Sequence, residues 1–236
     1  MREKVYNVLK LILCFFSFFY IGTLLKIILE LFNIDILSSN RGVVISQFIL
    51  SFILFILLLF VYFKDIKKDF KHFFANPNKS ISYVIKMFIV FMVVKYVVGL
   101  ISVLVCMLLK LDTNSITSVN QELIKEYVKT YPLLMIISTS VLAPFYEECL
   151  FRMGIRKVIK NRFIYIMVSG SLFGLLHVFP LDEGISVLVG VVQSISYVTM
   201  GIFFSYIYSK TDNIFNTIGI HFLNNFLSVL TMLSMF

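Results

Sequence analysis

The sequence predicts an all-α, polytopic transmembrane helical bundle of about seven spans, with eight as the alternative count. Three observations carry that reading. Of 236 residues, 59% are hydrophobic and 14% are charged, against roughly 45–50% and about 25% in globular domains. Mean hydropathy is +0.94. The apolar residues also run continuously over segments of about 20, the length that crosses a hydrocarbon core. An ordinary soluble domain of this size could not hide so much apolar surface. Disorder needs the opposite composition. With 10 Gly, 4 Pro and no period, collagen-like and low-complexity readings also fail. Barrel strands would alternate in character, so continuous runs specify helices.

The first run, Tyr6 to Phe32, is broken only by Lys10 and Lys26, which can snorkel. It follows the charged Arg2, Glu3 and Lys4, and no small-x-small site follows Leu25, so it reads as an uncleaved signal anchor. The second run is Val43 to Phe63. The basic stretch Lys64 to Ser80, with His72, reads as a solvated loop near anionic headgroups. The third run, Ile81 to Leu109, carries Lys86, placed to snorkel inward. It also carries the deeper Lys95, whose candidate partners are an acid or a substrate carboxylate. The long connection Leu111 to Pro132 reads as external, with a short helix over Gln121 to Val128 and Asn120 as its N-cap. Four more runs follow: Leu133 to Phe151, Phe163 to Phe179, Ile185 to Tyr208 and Ile214 to Phe236. The chain reads as one membrane domain, 1–236, with N-terminal spans over 1–110 and a core over 133–236.

Lys and Arg number 21 against 13 Asp and Glu, a net charge of +8. Thirteen of those cations fall in the segments that are cytoplasmic if the N-terminus is inside, four in the external ones and four within spans. The positive-inside rule therefore explains the excess and predicts a multi-pass cell-membrane protein with a cytoplasmic N-terminus. No nucleic-acid partner is expected. Cys14, Cys106 and Cys149 all lie in apolar runs and form neither a disulfide framework nor a CxxC pair.

Ionisable groups at membrane depth cost roughly 2.5–3.5 kcal/mol each on insertion scales, so they default to functional candidates. The fourth run ends in Glu147-Glu148-Cys149-Leu150-Phe151-Arg152. Glu148 and Arg152 are four apart, acid first, and form a natural ion pair. That leaves Glu147, about 100° around the helix, to face the bundle interior as a general base with a raised pKa. In the fifth run Phe173 and His177 share a face, while Ser169, Gly170, Ser171 and Gly174 let a neighbouring helix come close. In the seventh, His221 and Asn225 share a face and could position water or donate to an oxyanion. Each segment alone is compatible with a packing role. Together, Glu147, His177, His221 and Asn225 supply the parts for activating water. Glu147, His177 and His221 are also candidate ligands for a divalent metal such as zinc; the sequence leaves the choice open.

In order, Glu147-Glu148-x-x-x-Arg152, Phe173-x-x-x-His177 and His221-x-x-x-Asn225 resemble the three motifs of the CPBP family, the CAAX proteases and bacteriocin-processing enzymes also called Abi. The likeness covers roughly Leu133 to Phe236 and looks more like the bacterial members. It implies an intramembrane endopeptidase acting on a membrane-associated protein or peptide. Glu147 matches the water-activating base, assisted by His177. His221 and Asn225 match the groups that stabilise the oxyanion, and Glu148 and Arg152, with Phe173, match the supporting residues. Both metal-dependent and metal-free glutamate mechanisms are associated with the family. The rivals are a non-catalytic bacteriocin-immunity or peptide-binding membrane protein, and a transporter or proton relay, for which no internal repeat is found. Oligomeric state is not written in the sequence.

Depth sets one further expectation. At 1.5 Å per residue, His177 would lie about 20 Å from its span's inner end, His221 about 10 Å and Glu147 about 6 Å. One site cannot tolerate that spread. The sequence reading therefore makes Arg156 to Ile164 a cytosolic extension of the fifth helix.

Overall fold

The computed structural model describes residues 2–36, 38–111, 119–179, 181 and 186–235, with side chains omitted for 119–121. The described residues form helices: α1 (Arg2–Leu31), α2 (Asn40–Val61), α3 (Phe63–Ala75), α4 (Pro77–Leu108), α5 (Val119–Thr130), α6 (Pro132–Val158), α7 (Arg162–Leu176), α8 (Val187–Thr211) and α9 (Ile214–Leu233). Residues 112–118 of the expected external loop, Ile185 at the expected start of the sixth run, and Phe236 lie outside the described set.

Five helices are long and apolar enough to cross a membrane: α1, α2, α4, α6 and α8. The count of seven or eight is therefore not reached on length and composition. The 15 residues of α7 are apolar but span only about 22 Å, short of a core about 30 Å thick. In α9, Asn216, His221, Asn224 and Asn225 dilute an otherwise apolar sequence.

The basic segment expected as a loop is largely helical. In α3, Ile66, Asp69 and Phe73 are buried, whereas Lys64, Lys67, Lys68 and Lys71 are exposed. Amphipathic spacing, rather than composition, decides this segment. Its buried face clamps the α8–α9 turn: Asp69 Oδ2 accepts the Ile214 N–H at 2.9 Å, and Asn213 Nδ2 donates to the Asp69 carbonyl at 2.9 Å. Asn213 itself caps α9, its Oδ1 accepting from Phe215 N–H at 3.0 Å. The short helix expected in this connection exists as α5, but it starts at Val119, so Asn120 lies within it rather than at its cap.

The α7–α8 contact is close. A Cβ at Gly170 would overlap the Ile202 backbone, one at Gly174 the Val198 backbone, and one at Gly201 the Gly170 backbone. Small residues there let two backbones meet, as the sequence pattern of α7 predicts.

Helix α6 holds the main surprise. Two π-helical stretches, Ile136–Leu142 and Glu148–Gly154, flank the α-helical turn Ala143–Glu147. The helix continues to Val158, two turns past its expected end at Phe151. Glu147 is thus about 16 Å from the α6 terminus, which brings it near the depth of His177, while His221, about 10 Å into α9, still differs. The expected helical extension over Arg156 to Ile164 is absent: α6 ends at Val158, Ile159 is extended, and Asn161 caps a new helix by accepting from Ile164 N–H at 3.0 Å.

Candidate active site

A cavity of about 510 Å³ opens between α1, α2, α4, α6, α8 and α9. Glu147, His177, His221 and Asn225 all line it. Glu148, Arg152 and Phe173 do not; they form the packed layer behind it.

That layer is built on a buried ion pair. Arg152 Nε and Nη2 donate to Glu148 Oε2 and Oε1 at 3.0 and 3.2 Å, and neither side chain has solvent-exposed surface. Arg152 Nη1 also donates to Ser169 Oγ at 3.3 Å, and the guanidinium lies 4.5 Å over the Phe173 ring. Ser169 donates to the Phe151 carbonyl and accepts from Ser205 Oγ, both at 2.8 Å. Charge, donors and aromatic face are all used, as a buried guanidinium requires.

Glu148 has a second duty that its pairing with Arg152 does not reveal. Its Oε1 accepts from His221 Nδ1 at 3.0 Å. A carboxylate held ionised by arginine can only accept, so Nδ1 carries a proton. The opposite ring nitrogen, Nε2, faces Glu147 Oε2 across 3.8 Å. His221 therefore sits between two carboxylates, one orienting it and one facing it across the cavity wall. Phe173 and Phe204 fix the ring from the sides, at 5.8 and 5.0 Å between centroids.

His177 is oriented by a different device. It caps the C-terminus of α7, and its Nδ1 donates to the Phe173 carbonyl at 2.7 Å. That carbonyl is one of the acceptors a helix end leaves unmatched. A carbonyl cannot donate, so in the neutral ring Nε2 is an acceptor. Phe173 and Tyr197 pack against the ring at 4.4 and 5.1 Å.

Asn225 is anchored through the π-helical stretch. The Ala143 N–H reaches back five residues to the Ser138 carbonyl. In that register the partner of the Thr139 carbonyl would be residue 144, which is Pro144 and has no N–H. Asn225 Nδ2 takes the orphaned carbonyl at 2.8 Å. Its Oδ1 accepts from Asn224 Nδ2 at 2.9 Å, and Asn224 Oδ1 accepts from Lys95 Nζ at 2.7 Å. The sequence reading passed over Asn224, Thr139 and Tyr197. Pro144, three residues before Glu147 in an apolar run, was the available signal, because an interior proline frees a carbonyl. Lys95 finds an amide where the sequence suggested an acid.

Among the described residues, no group of three His, Cys, Asp or Glu side chains is disposed to hold a metal ion. His221 commits Nδ1 to Glu148 and His177 commits Nδ1 to a backbone carbonyl, which leaves Nε2 of each as the nitrogen that could hold a metal.

Apolar helices around a cavity that presents a carboxylate and two oriented imidazoles have the layout of a membrane-embedded hydrolase. Residues 129–227 match the family model described as Rce1-like, type II CAAX prenyl endopeptidase. That model is one of the CPBP family, a family of membrane proteases, and the likeness is confined to this part of the chain. The match contains all three motifs, from Glu147 to Asn225. No curated protein and no solved structure matches the chain.

Proposed function

We propose that this protein is an intramembrane endopeptidase that hydrolyses a peptide bond of a membrane-associated protein or peptide with water activated by Glu147. The observation that carries the reading is the Glu148–His221–Glu147 array at 3.0 and 3.8 Å on the wall of a cavity large enough for several residues of substrate. Glu147 accepts a proton from water as the hydroxyl oxygen attacks the scissile carbonyl. His177, whose Nε2 is an acceptor, steers that water. The free N–H of Asn225 and a protonated His221 donate to the developing oxyanion. Glu148 supports the imidazolium much as a carboxylate does in a catalytic triad. Glu147 then returns the proton to the leaving amine. The family description favours a substrate presented at the membrane.

Among the described residues no three His, Cys, Asp or Glu side chains are grouped to hold a metal ion, which supports a route without one. The test is a comparison of peptides released in proteoliposomes by wild type and Glu147→Gln, with and without a chelator. The reading requires cleavage by wild type, none by the variant, and no effect of the chelator. Cleavage by Glu147→Gln at the wild-type rate overturns it. Peptide protection that persists in the variant identifies a binding or immunity protein instead.

A further inference from the structure

Lys95 lies in the middle of α4, about 27 Å from the helix start and about 20 Å from its end. It lines the same cavity as Glu147 and His221 and is exposed there. Among the described residues its hydrogen bond is to Asn224 Oδ1, a neutral acceptor, at 2.7 Å. Among the described residues no carboxylate lies within ion-pair distance of it. Arg152, a fully buried cation on α6, is matched by Glu148. An ammonium at membrane depth without an anion is costly unless something brings the anion.

We infer that Lys95 anchors a substrate carboxylate inside the cavity, either the C-terminus of the peptide or an acidic side chain. This rests on the endopeptidase reading and adds the chemistry that selects the substrate. Asn224 and His221 are three residues apart on α9, so the ammonium lies about one helical turn from the reacting pair. At about 3.3 Å per extended residue, the carboxylate falls one to two residues from the scissile bond. When it docks, Lys95 has less need of Asn224, whose amide leads to Asn225 at 2.9 Å. Occupation of the anchor is thereby passed to the group proposed to face the oxyanion.

Binding is measured on a Glu147→Gln background, so that it does not depend on turnover. The probes are fluorescent apolar nonapeptides in liposomes, made as free acids and as C-terminal amides. A second set carries one internal Asp or Asn. The expected result is that free acids, or Asp peptides, bind about tenfold or more tightly than their neutral counterparts. Lys95→Gln abolishes that preference and Lys95→Arg keeps it. Which pair shows the preference identifies the C-terminus or the side chain. Equal binding of charged and neutral peptides, no binding of any peptide, or a preference unchanged in Lys95→Gln overturns the inference. Loss of the endopeptidase reading appears separately, as cleavage by Glu147→Gln or as no cleavage by wild type.

Discussion

Removing one partner of the Glu148–Arg152 pair tests the buried layer on which the site stands. Arg152→Met keeps the length of the side chain and its contact with Phe173 but deletes three donors: two to Glu148, at 3.0 and 3.2 Å, and one to Ser169, at 3.3 Å. Glu148 then keeps His221 Nδ1, at 3.0 Å, and the Thr217 hydroxyl, with no solvent-exposed surface through which water could replace the loss. Breaking a buried ion pair from one side costs about 3–5 kcal/mol. Glu148→Gln alone strands the guanidinium and costs a similar amount. The double variant strands neither charge, so the two losses do not add, and the coupling comes to about 2–3 kcal/mol. The measurement is reversible unfolding of all four proteins in mixed micelles, followed by circular dichroism against the mole fraction of denaturing detergent. Additive losses, or an Arg152→Met protein within about 1 kcal/mol of wild type, would show that water or lipid headgroups reach the pair, contrary to the packing described.

Three further expectations follow from the same geometry. Asn225→Ala removes a donor and orphans the Thr139 carbonyl; turnover should fall about 100-fold or more with the fold retained, and unchanged turnover would place the oxyanion elsewhere. Gly201→Val drives side-chain atoms into the Gly170 backbone and should destabilise by at least about 1–3 kcal/mol in the same micelle titration; wild-type stability would mean that α7 and α8 separate easily. In α3, burial pushes the Asp69 carboxyl above the usual carboxylate range, an effect that the Ile214 N–H only partly offsets. Its raised folded pKa favours the folded state at acid pH, and this advantage is lost as pH rises from about 4 through the raised value. Unfolding profiles should therefore show Asp69→Asn losing less stability than wild type over that rise, because its amide can still accept from Ile214. Parallel profiles for the two proteins would contradict this.

What the sequence determined by itself was local. Apolar run length fixed the helices of the bundle, and i,i+4 spacing set the Glu148–Arg152 pair and the Phe173–His177 face, since one helical turn is the same in any fold. The three motifs carried the likeness to the family model over residues 129–227. Tertiary structure decided everything that crosses between helices, because rotation about each axis and relative depth do not follow from spacing. It set His221 between Glu147 and Glu148, and it extended α6 to Val158. It gave Asn225 the carbonyl that Pro144 could not serve, and it turned a basic stretch into the clamp of α9. Lys95 shows the division most simply. Its cost at membrane depth is visible in one residue, but that it faces the cavity through Asn224 depends on how α4 and α9 meet.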